Sequence, residues 1–285
     1  LSILVGARVT NWSRYQTDTS FSTSTTTFTD RAESGELTPY LGLVLDLGAH
    51  WSTYASYTNI YQPQINKDIN GKTLDPVEGD AYETGLKAAY FEGKLNASLA
   101  LFRIEQDNVA QYVTTNTDNG QDVYEPIAGA KTKGVELELA GELAEGWNLS
   151  AGYTYARTRD QDHQRIYGFP LATSKPEHVA RTFTTYRLPG ALDQFTVGGG
   201  VSWQSAFYGQ SFSPTDGSTS LKQGGYTLVD LMTRYKYDDH LSFTVNAYNV
   251  FDKRYWIPGF AEQNGNNDFG DPRNLMFTLK YTPRI

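Results

Sequence analysis

A two-residue alternation of apolar and polar side chains recurs along the whole chain and constrains it more than any other feature. Between 37 and 47, Leu37, Pro39, Leu41, Leu43, Leu45 and Leu47 hold one parity, and Thr38, Tyr40, Gly42, Val44 and Asp46 the other. A period of two places successive side chains on opposite faces of a strand, whereas a helix repeats every 3.6 residues. The same reading covers 2–15, 51–61, 82–91, 94–105, 134–143, 147–157, 178–188, 195–208, 226–237, 241–256 and 274–282. These make about twelve strands, most as long as the ~9–11 residues a tilted strand needs to cross a bilayer. No amphipathic helix stands out, and no apolar run reaches the ~18 residues of a membrane-spanning helix.

The connections alternate in length. Those at 46–50, 92–93, 144–146, 189–194 and 238–240 are tight and rich in Gly, Asp and other polar residues, as hairpin turns require. Between them lie long polar links at 16–35, 62–79, 106–126, 160–177, 209–225 and 257–273. A meander whose every second link is long has two unlike ends, which is how outer-membrane barrels are built, with short periplasmic turns and long extracellular loops. A soluble sandwich has no reason to sort its loops by length, although a cup-shaped barrel could do so in part.

The faces carry the same message. Leu95, Ala97, Leu99 and Leu101 oppose Asn96 and Ser98; Leu275, Phe277, Leu279 and Tyr281 oppose Asn274, Thr278 and Lys280; Val135, Leu137 and Leu139 oppose Glu136 and Glu138. An apolar face of this kind suits either lipid or a second sheet. The rings favour lipid. Aromatics make up 14% of the chain, with 20 Tyr, 14 Phe and 5 Trp, and many stand near strand ends, among them Trp51, Tyr90, Phe91, Trp147, Tyr186, Tyr235, Tyr237 and Tyr255. Rings gather there when they straddle hydrocarbon and headgroups. The strand at 179–187 fits poorly, because Arg181 and Arg187 share a parity with Phe183.

Charge and composition exclude other classes. Lys and Arg number 24 against 32 Asp and Glu, a net charge of −8, so nucleic acid phosphates find no electrostatic grip. The absence of cysteine removes disulfides, thiolate zinc sites and cysteine nucleophiles. His50, His163, His178 and His240 are dispersed, and no nucleophile elbow, phosphate-binding loop or dinucleotide fingerprint occurs, so neither a metal centre nor an enzyme is expected. The Ser/Thr-rich stretch at 22–27 reads as a mobile outer loop.

Several segments resemble TonB-dependent outer-membrane receptors. Asn249-Val250-Phe251-Asp252-Lys253-Arg254-Tyr255, followed by Pro272-Arg273-Asn274 before a final strand, is similar to the C-terminal signature of that family. So are Gly134-Val135-Glu136-Leu137-Glu138, the run from Gly146-Trp147-Asn148-Leu149 into Gly152-Tyr153-Thr154-Tyr155, and Tyr54-Ala55-Ser56-Tyr57-Thr58. Ser174-Lys175-Pro176-Glu177-His178 and Tyr186-Arg187-Leu188-Pro189-Gly190 resemble the branch that takes up hydroxamate-type ferric siderophores, such as coprogen, ferrioxamine and pyoverdine.

The resemblance implies an all-β, transmembrane, antiparallel up-and-down barrel of which residues 1–285 supply about the last twelve of 22 strands, as the C-terminal part of the barrel domain without its N-terminal plug. It implies a bacterial outer-membrane location, contact with outer-membrane lipid, a ferric siderophore as transported ligand with no resident cofactor, and TonB engaged through the missing plug. One departure is the end of the chain: such receptors usually finish on an aromatic residue, whereas Tyr281 is followed by Thr282, Pro283, Arg284 and Ile285.

A bulky, polar ligand meeting an outer mouth suits aromatic contacts, which offer stiff area and a hydrogen-bonding tip at low entropic cost. By position the candidates are Tyr61, Tyr112, Tyr124, Tyr208, Trp256 and Phe269. Arg103, Arg254 and Arg273 could meet a negative ligand charge, or be held in ion pairs of the lumen and loops. Two other functions suit parts of the pattern: a passive or substrate-specific porin, and a soluble carbohydrate-binding β-protein.

Overall fold

The computed structural model describes residues 1–21, 24–116, 120–127, 129–159, 175–213, 217–257 and 268–283. Twelve strands form one antiparallel sheet: β1 (Ser2–Ser20), β2 (Thr25–Asp46), β3 (Trp51–Gln62), β4 (Val77–Tyr90), β5 (Leu95–Asp107), β8 (Ala130–Ala144), β9 (Trp147–Arg159), β10 (His178–Arg187), β11 (Phe195–Gln204), β14 (Tyr226–Lys236), β15 (Leu241–Tyr248) and β18 (Asn274–Tyr281). Sequence neighbours are sheet neighbours throughout, as an up-and-down meander demands. Each sequence-predicted strand has its counterpart. The remaining strands pair locally as β6 (Val109–Thr115) with β7 (Asp122–Ile127), β12 (Phe207–Ser213) with β13 (Gly217–Gln223), and β16 (Trp256–Ile257) with β17 (Asp268–Phe269).

The differences from the sequence reading lie at the ends. The link expected at 16–35 is largely strand, since β1 runs to Ser20 and β2 starts at Thr25. Residues 106–126, 209–225 and 257–273 contain hairpins rather than open loops. The strand expected over 241–256 stops at Tyr248, because Asn249, at φ 47°, turns the chain out of the ladder. Residues 22–23 of the Ser/Thr-rich stretch, most of the 160–177 link and His163 lie outside the described residues.

The chain divides into two compact units. The first holds Leu1–Gly85, Leu101–Gly134 and the end of β9; the second holds Leu86–Ala100, Val135–Ala156 and the described residues from 175 onward. In the first, Ile3↔Leu43, Val5↔Leu41, Ala7↔Pro39 and Val9↔Leu37 stand opposite one another, so the alternation carries across the ladder as one apolar face. Leu37, Leu41, Leu43 and Leu45 on that face are all exposed. Gly35, at φ 82°, ends the phase: Thr10 pairs with Glu36 but Trp12 with Glu33, so β2 carries one extra residue there. A bulge of this kind flips every later side chain, which takes Arg31 and Glu33 off the leucine face.

In the second unit the same rule builds a continuous apolar row through Val201↔Val229, Leu231↔Ala247 and Val245↔Phe277. Leu231 is 53% exposed and Phe277 73%. Rings close both ends of the band. Phe195 and Tyr235 meet as a tilted ring pair at 4.8 Å near the short turns, and at the other end the Tyr153 hydroxyl meets His178 Nδ1 at 2.9 Å beside the Tyr155 ring at 4.7 Å. No large side chain among the described residues is fully buried. The apolar faces therefore do not press together into a dry core, which removes the sandwich reading. Arg181, Phe183 and Arg187 fall on the opposite face, across from Ser202, Gly200 and Thr196. The Phe183 ring fits among polar residues because Gly200 lacks a Cβ, which would lie 2.7 Å from Phe183 Cδ2.

The tight turns follow local chemistry. Phe91 and Glu92, at φ 52° and 56°, form the centre of a primed turn closed by Gly93 N–H donating to the Tyr90 carbonyl at 3.1 Å. Asp238 Oδ1 accepts from the backbone N–H groups of His240 and Leu241, each at 2.7 Å.

Candidate functional site

In each unit the described long connections leave the same end of its strands, and each unit builds that end differently. In the first unit, Arg31 and Glu33, turned by the Gly35 bulge, form an ion pair with Arg31 Nε donating to Glu33 Oε1 at 2.6 Å. The Tyr61 hydroxyl donates to the other Glu33 oxygen, and Tyr61 is only 8% exposed. Three consecutive carbonyls of the β3–β4 connection are then clamped from different directions. Arg31 Nη1 donates to Leu74 O at 2.6 Å, Gln64 Nε2 to Asp75 O, and Asn108 Nδ2 to Pro76 O at 3.0 Å. Gln64 Nε2 also reaches Asn108 O at 2.8 Å. Leu74, Val77 and Gln64 are buried beneath these bonds. Backbone groups left without a strand partner need this replacement once water is excluded.

The β6–β7 hairpin joins the clamped loop through Tyr124 N–H donating to Lys67 O at 2.8 Å. Tyr112 and Tyr124 are cross-strand partners, edge to face at 5.9 Å. The Tyr112 hydroxyl bonds Thr115 at 2.8 Å, and Thr115 donates to Asp122 at 2.9 Å.

In the second unit, Tyr208 on β12 faces Lys222 on β13, whose Nζ lies 5.7 Å from the ring centroid. The neighbouring pair Phe207↔Gln223 is buried. Gln223 Oε1 accepts from Trp256 N–H at 3.0 Å, joining this hairpin to the β16–β17 arm. There Trp256 pairs with Phe269, which is 81% exposed. Structure thus brings Tyr208, Trp256 and Phe269 into one neighbourhood, places Tyr112 and Tyr124 together in the other unit, and seats Tyr61 beneath the loop there.

The cations take ordinary roles. Arg103 pairs with Glu105, which Lys131 also approaches at 3.2 Å, while Arg254 is exposed and Arg273 donates to Asp252 Oδ1 through its main-chain N–H, at 3.0 Å, not through its guanidinium. Asn249 does most to hold the arm. Its Nδ2 donates to Lys253 O and Asp271 O, each at 3.0 Å, its Oδ1 accepts from Lys253 N–H at 2.8 Å, and its own N–H donates to Asp230 at 2.8 Å. It is 4% exposed. The Asn249–Tyr255 motif and the later Pro272-Arg273-Asn274 are therefore two sides of one knot that starts and ends the arm. Sequence reasoning singled out that motif, but not Gln64, Asn108 or Gln223, which look like any polar loop residue.

A family model described as the β-barrel of TonB dependent receptor-like proteins matches residues 1–250. The chain belongs to that family. The exposed apolar bands are accordingly the lipid-facing surface of an outer-membrane β-barrel. Similar proteins include the ferric-pyoverdine BN7/BN8 receptor of Pseudomonas putida, 43% identical over 284 residues, covering 99% of this chain and 32% of the relative. The ferripyoverdine receptor of Pseudomonas aeruginosa is 41% identical over 257 residues, 87% of this chain and 31% of its own length. The solved pyoverdine outer membrane receptor FpvA from P. aeruginosa PAO1, bound to pyoverdine, superposes with a TM-score of 0.82 at 38% identity, covering 98% of this chain and 39% of that one. The chain of this TonB-dependent receptor barrel spans about a third of the length of the curated relatives it matches.

Proposed function

We propose that this barrel segment forms part of the outer mouth and wall of a receptor that binds a ferric siderophore of the pyoverdine class for TonB-energised uptake. Residues 1–285 then supply the last twelve of 22 strands, and a plug domain elsewhere in the polypeptide engages TonB. The supporting observation is the aromatic outer end of the second unit, where Tyr208 carries a lysine over its ring and Phe269 stands open beside Trp256. Rigid rings with a nearby cation suit a large, polar, negatively charged chelate. Similarity to ferric-pyoverdine receptors at 43% and 41% identity supports the same class.

Tyr208, Trp256 and Phe269 are assigned to direct ligand contact, Tyr112 and Tyr124 to a stiff wall, and Tyr61 to the support of the loop behind it. Iron stays in its chelator, so the barrel supplies binding and enclosure and neither a metal site nor catalysis. The test is equilibrium binding of radioiron-loaded pyoverdine to the full-length receptor in outer membranes. Tyr208→Ala and Trp256→Ala should each weaken binding by about 1–3 kcal/mol. Wild-type affinity in both variants would remove these rings from the site.

A further inference from the structure

Among the described residues the β16–β17 arm that presents Trp256 and Phe269 pairs over two residues, Trp256 with Phe269 and Ile257 with Asp268, and two such pairs have no independent stability. Something outside it must fix its direction. One support lies at its base, where Tyr255 stacks on Tyr226 at 4.4 Å and Gly270 N–H donates to Tyr255 O at 2.9 Å. Gly270 is required there by space, since a Cβ would fall 2.0 Å from the Tyr255 ring. That support fixes the Tyr255–Gly270 end but leaves the Trp256 N–H on the far side of the ribbon from Phe269.

Beyond that stack and the Asn249 knot at the foot of the arm, a further support acts on the Trp256 backbone itself, and it comes from Gln223. It ends the β12–β13 hairpin, is 7% exposed, and its side-chain oxygen ties the arm to that hairpin while its nitrogen is anchored on the carbonyl of the next residue. Oε1 accepts from Trp256 N–H at 3.0 Å, while Nε2 donates to Gly224 O at 2.8 Å. A buried amide satisfied at both ends has one orientation, so the arm is set relative to the hairpin that carries Tyr208 and Lys222. We propose that Gln223 is a positioning residue for ligand binding, which holds the Trp256 ring in register with Tyr208 so that the two grip one ligand. This inference rests on the assignment of Trp256 to ligand contact made above.

Because the bond is to the backbone of Trp256, replacing the indole leaves the latch intact with only Phe269 left on the arm to aim. That separates positioning from general stability in a double-mutant cycle. Binding of radioiron-loaded pyoverdine would be measured for Gln223→Leu, Trp256→Ala and the double variant of the full-length receptor, with outer-membrane abundance of each recorded. Gln223→Leu should weaken binding about three- to tenfold, the scale of one lost hydrogen bond, and Trp256→Ala about tenfold or more. The double variant should bind more tightly than the two single losses multiplied together would give, close to Trp256→Ala alone, with Phe269 accounting for the remainder. Gln223→Glu keeps the acceptor for the Trp256 N–H and should recover part of the lost affinity; it also serves if the leucine variant fails to assemble. An effect of Gln223→Leu that persists undiminished in the Trp256→Ala background, or no effect beside a weakened Trp256→Ala, overturns the positioning role. Wild-type binding by Trp256→Ala would overturn the contact assignment itself, and the positioning role with it.

Discussion

The outer ends of the two units use similar residues for opposite purposes. In the first, side chains are spent inward: Tyr61 bonds Glu33, Arg31 spans Glu33 and a carbonyl, and Gln64 with Asn108 closes the loop over Leu74 and Val77. In the second, one buried amide and one asparagine knot do the holding, which leaves Tyr208 and Phe269 exposed. Where polar side chains carry the framework, rings are released to the surface. Where a ring carries it, as Tyr61 does, less of that ring is available to a ligand.

The contrast can be broken by substitution, and the largest effect is expected in the first unit. Arg31→Ala strands a partly buried Glu33 carboxylate and frees the Leu74 carbonyl, and should cost about 3 kcal/mol of stability in urea unfolding of the detergent-solubilised receptor. Asn249→Ala comes next, at about 2 kcal/mol by the same measurement, since several backbone groups at the base of the arm lose their partner. A loss much smaller than that of Arg31→Ala would sharpen the contrast between a densely clamped unit and a sparsely held one. Tyr61→Phe keeps the ring and removes one bond, for about 1 kcal/mol.

The smallest effect lies at the opposite, short-turn end. Lys236, donating to Asp239 at 2.6 Å, holds that carboxyl below its ordinary 3.8. A carboxyl with a depressed folded value stabilises above its unfolded value and loses that contribution as pH falls through the folded one. Asp239→Asn should therefore shift the urea midpoint slightly at neutral pH and not at all in strong acid. A shift that grows in acid would reverse the sign and refute the pairing.

How much was legible in the sequence follows from what kind of physics sets each part. The twelve-strand meander was legible, because a one-residue slip would turn Leu37–Leu45 or Leu275–Tyr281 to the wrong face, so the pattern cannot be blurred. The misfit at Arg181, Phe183 and Arg187 was not legible as a lumen-face strand, since its explanation is a glycine on the neighbouring strand. The extension of β1 to Ser20 and of β2 back to Thr25 is hidden for a similar reason: Thr-rich strand and polar loop have the same composition, and only pairing separates them. The turn at Phe91–Glu92 carries no Asn-Gly signal. As for the site, rings near strand ends are visible in one dimension, but which of them meet depends on Gln64, Asn108 and Gln223, whose importance comes from burial. Asn249 was visible only as part of a motif, not as the knot that motif forms.

If the exposed apolar rows of the sheet touch hydrocarbon while their neighbours do not, the two sets of side chains differ in their access to solutes of the bilayer. Nitroxide labels at Leu231, Met232, Val245, Asn246, Phe277 and Thr278 of the full-length receptor in lipid vesicles would report collision with oxygen dissolved in the bilayer. High oxygen accessibility is expected at Leu231, Val245 and Phe277 and low accessibility at Met232, Asn246 and Thr278. Equal accessibility along the strands, or the opposite phase, would contradict contact of those rows with hydrocarbon.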